Sequence, residues 1–187
     1  MNEHHLQFLA SDDWARMLES ELFPWVDRVA DLGDDVLEVG PGPGLTTDLL
    51  RQRVGRVTAV EIDETLASAL SDRLSGTNVE VINADASCTG LEADRFSAAT
   101  CFSMLHHVPS VELQDRVFAE LNRLLKPGAS LVASDSLDNE LIRQFHEDDV
   151  FVPLNPDTLG HRLEAAGFSE IRIELTEYEV RFAATGG

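Results

Sequence analysis

The sequence predicts an α/β fold in which a mostly parallel sheet lies between layers of helices. Short apolar runs alternate with helix-like segments five times between residues 36 and 133, which is typical of consecutive strand–helix units. Right-handed crossovers then place helices on both faces of the sheet. Residues 171–182 alternate apolar and polar, and the parity changes near residue 176. This pattern indicates either a tight hairpin or a bulged strand, and we expect an antiparallel hairpin at the sheet edge.

Turn and capping residues set the limits of the individual elements. Ser, Asp and Asn residues precede helix-like apolar periodicity and are predicted N-caps, at Ser11, Asp63, Ser110 and Asn155. The Lys126-Pro127-Gly128 sequence predicts the end of the long helix after Ser110. The predicted parallel strands cover residues 36–39, 56–61, 79–82, 96–102 and 129–133.

The first 33 residues form a separate predicted unit, an N-terminal helical segment. Apolar residues recur at helical spacing from residue 11 to residue 30, and Pro24 is expected to break or restart the helix. Such a segment either packs on the edge of the domain or acts as a lid over a site. Residues 34–187 form the predicted ligand-binding domain.

Composition limits the classes of function. The chain has 187 residues with 34 acidic and 14 basic side chains, a net charge of −20, which disfavours nucleic acid as a partner. A solubility or salt adaptation would also explain the acidity. Cys88 and Cys101 show no metal-binding or redox spacing. We expect a cytoplasmic protein that does not bind membranes, because the sequence has no signal peptide and no long apolar run.

The glycine loop after the first predicted strand predicts the ligand class. Gly40, Gly42 and Gly44 alternate with other residues, but a dinucleotide fingerprint would require glycine where Leu45 stands. The prolines at 41 and 43 have no N–H, so the loop is poorly suited to phosphate. Glu38, just before the loop, could attract a positive group. The loop therefore favours a phosphate-free ligand that approaches the backbone closely.

An acidic residue lies at the end of the second predicted strand, and another follows the third. Glu61 lies about 20 residues after the glycines, at the distance where a carboxylate accepts ribose hydroxyls, and Asp85 follows the third strand. The carboxyl ends of parallel strands lie side by side and form the usual ligand crevice. The loop and both acids therefore predict one nucleoside-like ligand.

Taken together, these segments resemble the class I S-adenosylmethionine-dependent methyltransferases. The matching segments span most of the chain, and their order and spacing are specific. The resemblance implies a Rossmann-like three-layer sandwich with seven strands. Ser97 departs from the acid that the family often has there, at the end of the strand away from the site. The segments are EVGPGPG at 38–44, VEID at 60–63, NADA at 83–86, CFSMLHHV at 101–108 and LNRLLKPGASLV at 121–132.

The resemblance also implies cofactor-binding roles around the glycine loop. Gly40 and Gly42 would lie against the methionine and ribose portions of S-adenosylmethionine, with Gly44 as the third loop glycine. Glu38 would approach the methionine amino group. Phe102 and Ser103 would line the donor site near the methionine portion.

The adenosine portion would lie against the second and third strands. Glu61 would hold the ribose hydroxyls, and Ile62 would pack on the adenine. Asp85 would face the adenine amino group, with Ala86 beside it.

Candidate acceptor-site residues follow the fourth and fifth strands. His106 and His107 are the candidate general bases, because histidine titrates near neutral pH. Alternatively, one of them packs inward and the other meets solvent. Asp135 could line the same pocket. Four aromatic residues could form its wall or belong to the core: Trp14, Trp25, Phe145 and Phe151. Residues 146–149, HEDD, could ligate a metal, but adjacent residues rarely converge on one ion. We therefore interpret them as a solvated acidic loop and predict no metal site.

Two functions remain open from the sequence. The first is methyl transfer from S-adenosylmethionine to a small-molecule acceptor by in-line displacement. The second is a catalytically inactive donor-binding module with a regulatory or assembly role. An NAD-dependent oxidoreductase is disfavoured by Leu45 and by the two loop prolines.

Overall fold

A computed structural model describes residues 3–187, with side chains from Leu6 onward, and contains one seven-stranded sheet. The strand order is β3-β2-β1-β4-β5-β7-β6, and β1 to β5 are parallel. Strand β7 runs antiparallel to both of its neighbours. The predicted fold class and C-terminal hairpin are confirmed. The strands are β1 (Asp35–Val39), β2 (Arg56–Glu61), β3 (Val79–Asn83), β4 (Phe96–Phe102), β5 (Leu125–Ser136), β6 (Ser169–Leu175) and β7 (Glu179–Thr185).

Helices cover both faces of this sheet. A π-helical turn, Leu18–Leu22, lies between the second and third helices, and a 3₁₀ turn, Leu105–His107, follows β4. The α-helices are α1 (Glu3–Leu9), α2 (Asp12–Met17), α3 (Phe23–Val29), α4 (Leu45–Leu50), α5 (Glu64–Arg73), α6 (Val111–Leu124), α7 (Glu140–Phe145) and α8 (Pro156–Ala165). Within residues 3–187, none of the helices has the length and apolar character that crossing a membrane requires.

All four predicted N-caps are confirmed by side-chain hydrogen bonds. Ser11 accepts from the Trp14 N–H, and Ser110 accepts from the Leu113 N–H. Asp63 and Asn155 cap α5 and α8 in the same way. Each bond satisfies a backbone donor that the first helical turn leaves without a partner.

The helix restarts at Pro24 as expected: this residue lies in the first turn of α3, after the π-helical turn, where a wider turn avoids the clash of a proline ring with the α-helical carbonyl four residues earlier. Two other details differ from the sequence prediction. Strand β5 begins at Leu125 instead of residue 129, because Leu125 pairs with Phe96 before the register shifts. Helix α7 was not predicted; Asn139 caps it by accepting from the Ile142 N–H.

The N-terminal helices share a core with the sheet. Leu18, Leu22 and Val26 are fully buried in one apolar cluster with Val36 and Val57 of the central strands. The opposite face of the sheet packs against α6 and α8 in a second, larger cluster. The segment from the π-helical turn to α3 precedes the predicted boundary at residue 33, and it packs against strands that follow this boundary.

Candidate active site

The glycine loop connects β1 to α4 through left-handed backbone. Gly40, Gly42 and Gly44 have φ values of +69°, +53° and +89°, a region that favours glycine because it has no Cβ. A Cβ on Gly40 would come within 2.3 Å of the Met104 side chain. A Cβ on Gly42 would meet no protein atom within 4 Å and would occupy open space. The loop is therefore closely packed at Gly40 and open at Gly42.

Glu61, the last residue of β2, holds this loop in place. One carboxylate oxygen accepts the Gly42 N–H at 3.1 Å, and the other accepts the Asp63 N–H at 3.0 Å. The side chain is buried. Each carboxylate oxygen has a second lone pair, so Glu61 can accept further hydrogen bonds from a ligand.

Glu38 lies beneath the loop, where water has little access. Its carboxyl accepts a hydrogen bond from the Thr46 hydroxyl, and its second oxygen has no hydrogen-bond partner among the described residues. Burial raises the pKa of Glu38 from 4.5 to about 7, although the Thr46 hydrogen bond opposes the shift. A buried carboxyl with an unused acceptor is suited to a cationic group brought close to it.

A cavity of about 660 Å³ opens at the carboxyl ends of the parallel strands. Volumes of this order are typical of small-molecule sites. Glu38 and Gly44 do not line it within the described part of the chain: Glu38 is buried, and Gly44 begins α4. The predicted cofactor residues that line it are Gly40, Gly42, Glu61, Ile62, Asp85, Ala86, Phe102 and Ser103.

Two of these lining residues have unusual environments. Ile62 is 69% exposed at the cavity, so a planar apolar ligand could cover it. Ser103 has a φ of +51°, and its N–H donates to the Ser134 carbonyl at 2.9 Å. A serine in left-handed backbone is uncommon outside glycine-like turns, and such conformations concentrate at functional sites.

The remaining cavity wall is apolar and was only partly predicted. Trp14 lines the cavity, which is the pocket-wall alternative predicted for it. Trp25 is buried instead, beneath the Arg181 guanidinium. Sequence reasoning missed the other contributors from α1 and α6, because their long-range packing leaves no local motif. They are Leu6, Leu9, Leu113 and Val117.

The two predicted histidines lie in different environments. His107 lines the cavity, whereas His106 is fully buried and forms no part of its wall among the described residues. The His106 Nδ1 atom is 2.6 Å from an oxygen of Asp135, which is also fully buried. The structure thus separates the adjacent pair into one cavity-facing and one inward-facing imidazole.

Hydrogen bonds fix the backbone of this 3₁₀ turn. Asp135 accepts the Leu105 N–H at 2.8 Å, and the Gln114 side-chain amide donates to the Leu105 carbonyl at 3.0 Å. The Val152 N–H donates to the His106 carbonyl at 2.8 Å. The turn therefore joins β5, α6 and the segment after α7.

His146 lies beside these two histidines and is buried, so the interpretation of residues 146–149 as a solvated loop is wrong for this residue. Its Nε2 atom is 3.0 Å from His106 Nε2, and its ring stacks on Phe151 with centroids 4.6 Å apart. Burial lowers the pKa of His146. Burial, followed by the charge of His106, lowers the pKa of His107 to about 3. His107 is therefore neutral at neutral pH.

The family profile described as a methyltransferase domain matches residues 37–133. The ubiquinone biosynthesis O-methyltransferase of Pseudomonas fluorescens is 36% identical over 114 residues, which are 59% of this chain and 48% of that protein. The rRNA adenine N-6-methyltransferase of Saccharopolyspora erythraea is 49% identical over 63 residues, 32% of this chain and 16% of that protein. The chain thus spans about half the length or less of these curated relatives.

The fold also matches solved methyltransferase structures. Phosphoethanolamine N-methyltransferase 2 of Haemonchus contortus, solved with phosphomonomethylethanolamine and S-adenosylhomocysteine, superimposes with a TM-score of 0.74 at 14% identity. The match covers 87% of this chain and 51% of that one. The profile covers more than half of the chain, and the sheet order and glycine loop agree with it. The chain therefore belongs to the methyltransferase-domain family, the class I methyltransferases whose methyl donor is S-adenosylmethionine.

Proposed function

We propose that this protein transfers a methyl group from S-adenosylmethionine to a small-molecule acceptor. The observation that carries this proposal is the continuous cavity that joins the glycine loop to the apolar residues of α1, α2 and α6. A donor bound at the loop would leave the apolar end for a second, smaller molecule. Binding both molecules side by side in one cavity is what an in-line transfer requires.

The loop residues fit S-adenosylmethionine in shape and charge. The open space at Gly42 allows close approach of a ligand to the backbone. The Glu61 oxygens retain lone pairs for ribose hydroxyls, and the Glu38 carboxyl can balance the positive charge of the donor's amino group. Asp85 and Ile62 would contact the adenine end.

The chain's own contribution to the reaction is positioning. The donor supplies a methyl group that its sulfonium already activates. Phe102 and Ser103 would fix the donor at the end of β4, and the apolar wall would orient the acceptor. We assign the acceptor-facing role to His107, whose neutral imidazole can accept a hydrogen bond from the acceptor and orient it. His106 is a positioning residue in this proposal, because it is buried behind His107.

Charge supports a small-molecule acceptor over RNA. A net charge of −20 repels a phosphate backbone. The relative that acts in ubiquinone biosynthesis is an O-methyltransferase, and its similarity covers more of this chain than that of the rRNA enzyme. An oxygen nucleophile on a small acceptor is therefore the first class to test.

Donor binding can be tested with two matched glycine variants. Gly42 and Gly76 both have positive φ, and a Cβ added at either position would meet open space, but only Gly42 lines the cavity. Asn tolerates left-handed backbone better than other side chains, so Gly42→Asn and Gly76→Asn incur similar backbone costs. We expect S-adenosylmethionine to raise the Tm of the unmodified protein and of Gly76→Asn, but not of Gly42→Asn. Equal Tm shifts in both variants, or larger shifts with NAD or ATP, would contradict the donor site.

Transfer itself requires an acceptor panel. Labelled S-adenosylmethionine is incubated with phenols, catechols, amines and ribosomal RNA, and product is detected by mass spectrometry. We expect label on a small molecule and none on RNA. Donor binding without transfer to any of these acceptors would favour the inactive donor-binding module.

A further inference from the structure

His106, His107 and His146 form a compact cluster beside the cavity, hereafter the histidine cluster. One ring nitrogen from each residue can be chosen so that all three lie within 4.8 Å of one another. His106 and His107 follow β4, whereas His146 ends α7. The fold thus brings His146 to a pair of adjacent imidazoles that lie 40 positions earlier in the chain.

The hydrogen bonds of His106 and His146 determine which ring nitrogen carries the proton. His106 Nδ1 lies 2.6 Å from the Asp135 carboxyl, whose oxygens already accept the backbone N–H groups of Leu105 and Ser136. His146 Nδ1 lies 2.7 Å from the Ile142 carbonyl, which can only accept. Both Nδ1 atoms are therefore donors, so Nε2 is the atom through which either ring would coordinate a metal ion.

The two Nε2 atoms are 3.0 Å apart, close enough for one ion to contact both. From this contact and the third imidazole we infer that the histidine cluster binds a divalent transition-metal ion of the Zn²⁺ type. Imidazole nitrogens are preferred ligands of such ions.

The spacing agrees with metal coordination. Two nitrogens bound to tetrahedral Zn²⁺ at about 2.0–2.1 Å are roughly 3.3 Å apart. The His106–His146 separation is close to this value, and His107 would need only a side-chain adjustment within the 4.8 Å limit. Asp135 bonded to His106 Nδ1 completes a carboxylate–histidine–metal arrangement, in which the carboxylate orients the ligand ring and raises its basicity.

The site would border the cavity through His107. Three protein ligands leave a tetrahedral ion one open position, which suits water or an oxygen of a small ligand. With the ion bound, the coordinated nitrogen of His107 would no longer accept a hydrogen bond from the acceptor. Metal binding is measured directly and does not depend on methyl transfer, so either proposal can fail without the other.

The test compares Co²⁺ and Zn²⁺ binding in the unmodified 187-residue chain and in single variants. After chelation and dialysis, we expect the unmodified protein to bind about one Co²⁺ per chain with visible ligand-field bands, and Zn²⁺ to displace it. His146→Asn and His107→Asn should weaken binding by at least about tenfold, as should Asp135→Asn through the His106 ring. His161→Asn is the matched control, because His161 is 88% exposed and lies outside the cluster.

Two results would overturn the inference. One is the absence of Co²⁺ bands in the unmodified protein, which would leave a proton as the shared cation between the two Nε2 atoms. The other is unchanged affinity in His146→Asn, which would locate any bound metal elsewhere. Circular dichroism of each variant verifies folding, and His107→Asn provides a cavity-side variant if Asp135→Asn does not fold.

Discussion

The carboxyl of Glu38 is held in a buried site that favours its neutral form. Burial raises its pKa from 4.5 to about 7, so the folded protein binds this proton more tightly than the unfolded chain does. The resulting stability is fully present below pH 4.5 and is lost as the pH rises through about 7. A residue suited to a cationic ligand thus destabilises the ligand-free fold at neutral and higher pH.

Replacing Glu38 with Gln should reveal this cost. Gln cannot ionise, so the free energy of unfolding of Glu38→Gln relative to the unmodified protein should increase between pH 5 and pH 8, by up to about 3 kcal/mol. Urea unfolding of both proteins across this pH range measures the difference in the free energy of unfolding. The contributions of the other titrating groups are common to both proteins and cancel. A difference that is independent of pH would show that Glu38 stays ionised in the fold. S-adenosylmethionine should bind the Gln variant more weakly above pH 7, because its amino group loses a carboxylate partner.

At the scale of elements, the N-terminal helices combine two environments. Leu22 of the π-helical turn is fully buried against the sheet, whereas Leu9 of α1 lines the cavity. Phe8 contacts Trp14 and Phe145, with ring centroids 5.4 Å and 5.7 Å apart, so α1 is linked to α2 and α7. A lid role, if present, would belong to the part of the segment near Leu9, because the part near Leu22 belongs to the core.

Two leucine truncations separate these environments. Leu22→Ala should lower the free energy of unfolding by about 2–5 kcal/mol, because it leaves a cavity in the core. Leu9→Ala should cost less stability but reduce the Tm shift produced by ligand, because it removes part of the cavity wall. Chemical denaturation and ligand-dependent Tm measurements on both variants give the comparison. Similar profiles for the two variants would argue against a distinct role for α1.

The sequence predicted those elements that depend on local signals. The caps at Ser11, Asp63, Ser110 and Asn155 and the strand before the glycine loop are encoded within a few neighbouring residues, and the structure confirms them. Helix α7 escaped prediction because it is only six residues long and has no buried side chain.

The histidine cluster could not be predicted, because its contacts are set by tertiary packing. His106 and His146 meet only after β4, β5 and α7 are assembled, and adjacent residues in a sequence give no indication of which side chain turns inward. The ring nitrogen that donates is fixed by the Asp135 carboxylate in His106 and by the Ile142 carbonyl in His146. A pattern search would have needed the distance between residues 40 positions apart in the chain.

At the scale of the whole molecule, net charge opposes compactness. With 34 acidic and 14 basic side chains, the folded chain brings like charges closer together than the unfolded chain does. Several arginines form exposed ion pairs, such as Arg56 with Glu80, but the excess of carboxylates remains. Stability should therefore depend on ionic strength.

Raising the NaCl concentration should raise the Tm of the protein. Screening shortens the range of repulsion to about 3 Å at 1 M salt, and a gain of about 2 kcal/mol would raise Tm by roughly 4–8 °C for a chain of this size. Scanning calorimetry from low to high NaCl measures the change, with an uncharged osmolyte as the control. A Tm that does not change with salt would mean that the acidic side chains are far enough apart for repulsion to be negligible.

The hydrogen bonds around the Leu105–His107 turn have a consequence for protein engineering. Asp135 and Gln114 hold the turn through the backbone of Leu105, so the path of the chain does not depend on the side chains that face the cavity. Val108 and Leu113 of α6, which also line the cavity, can then be randomised on a constant backbone while His107 is kept. A combinatorial library at these two positions would sample new acceptor preferences while leaving the glycine loop, and with it the shared donor, untouched.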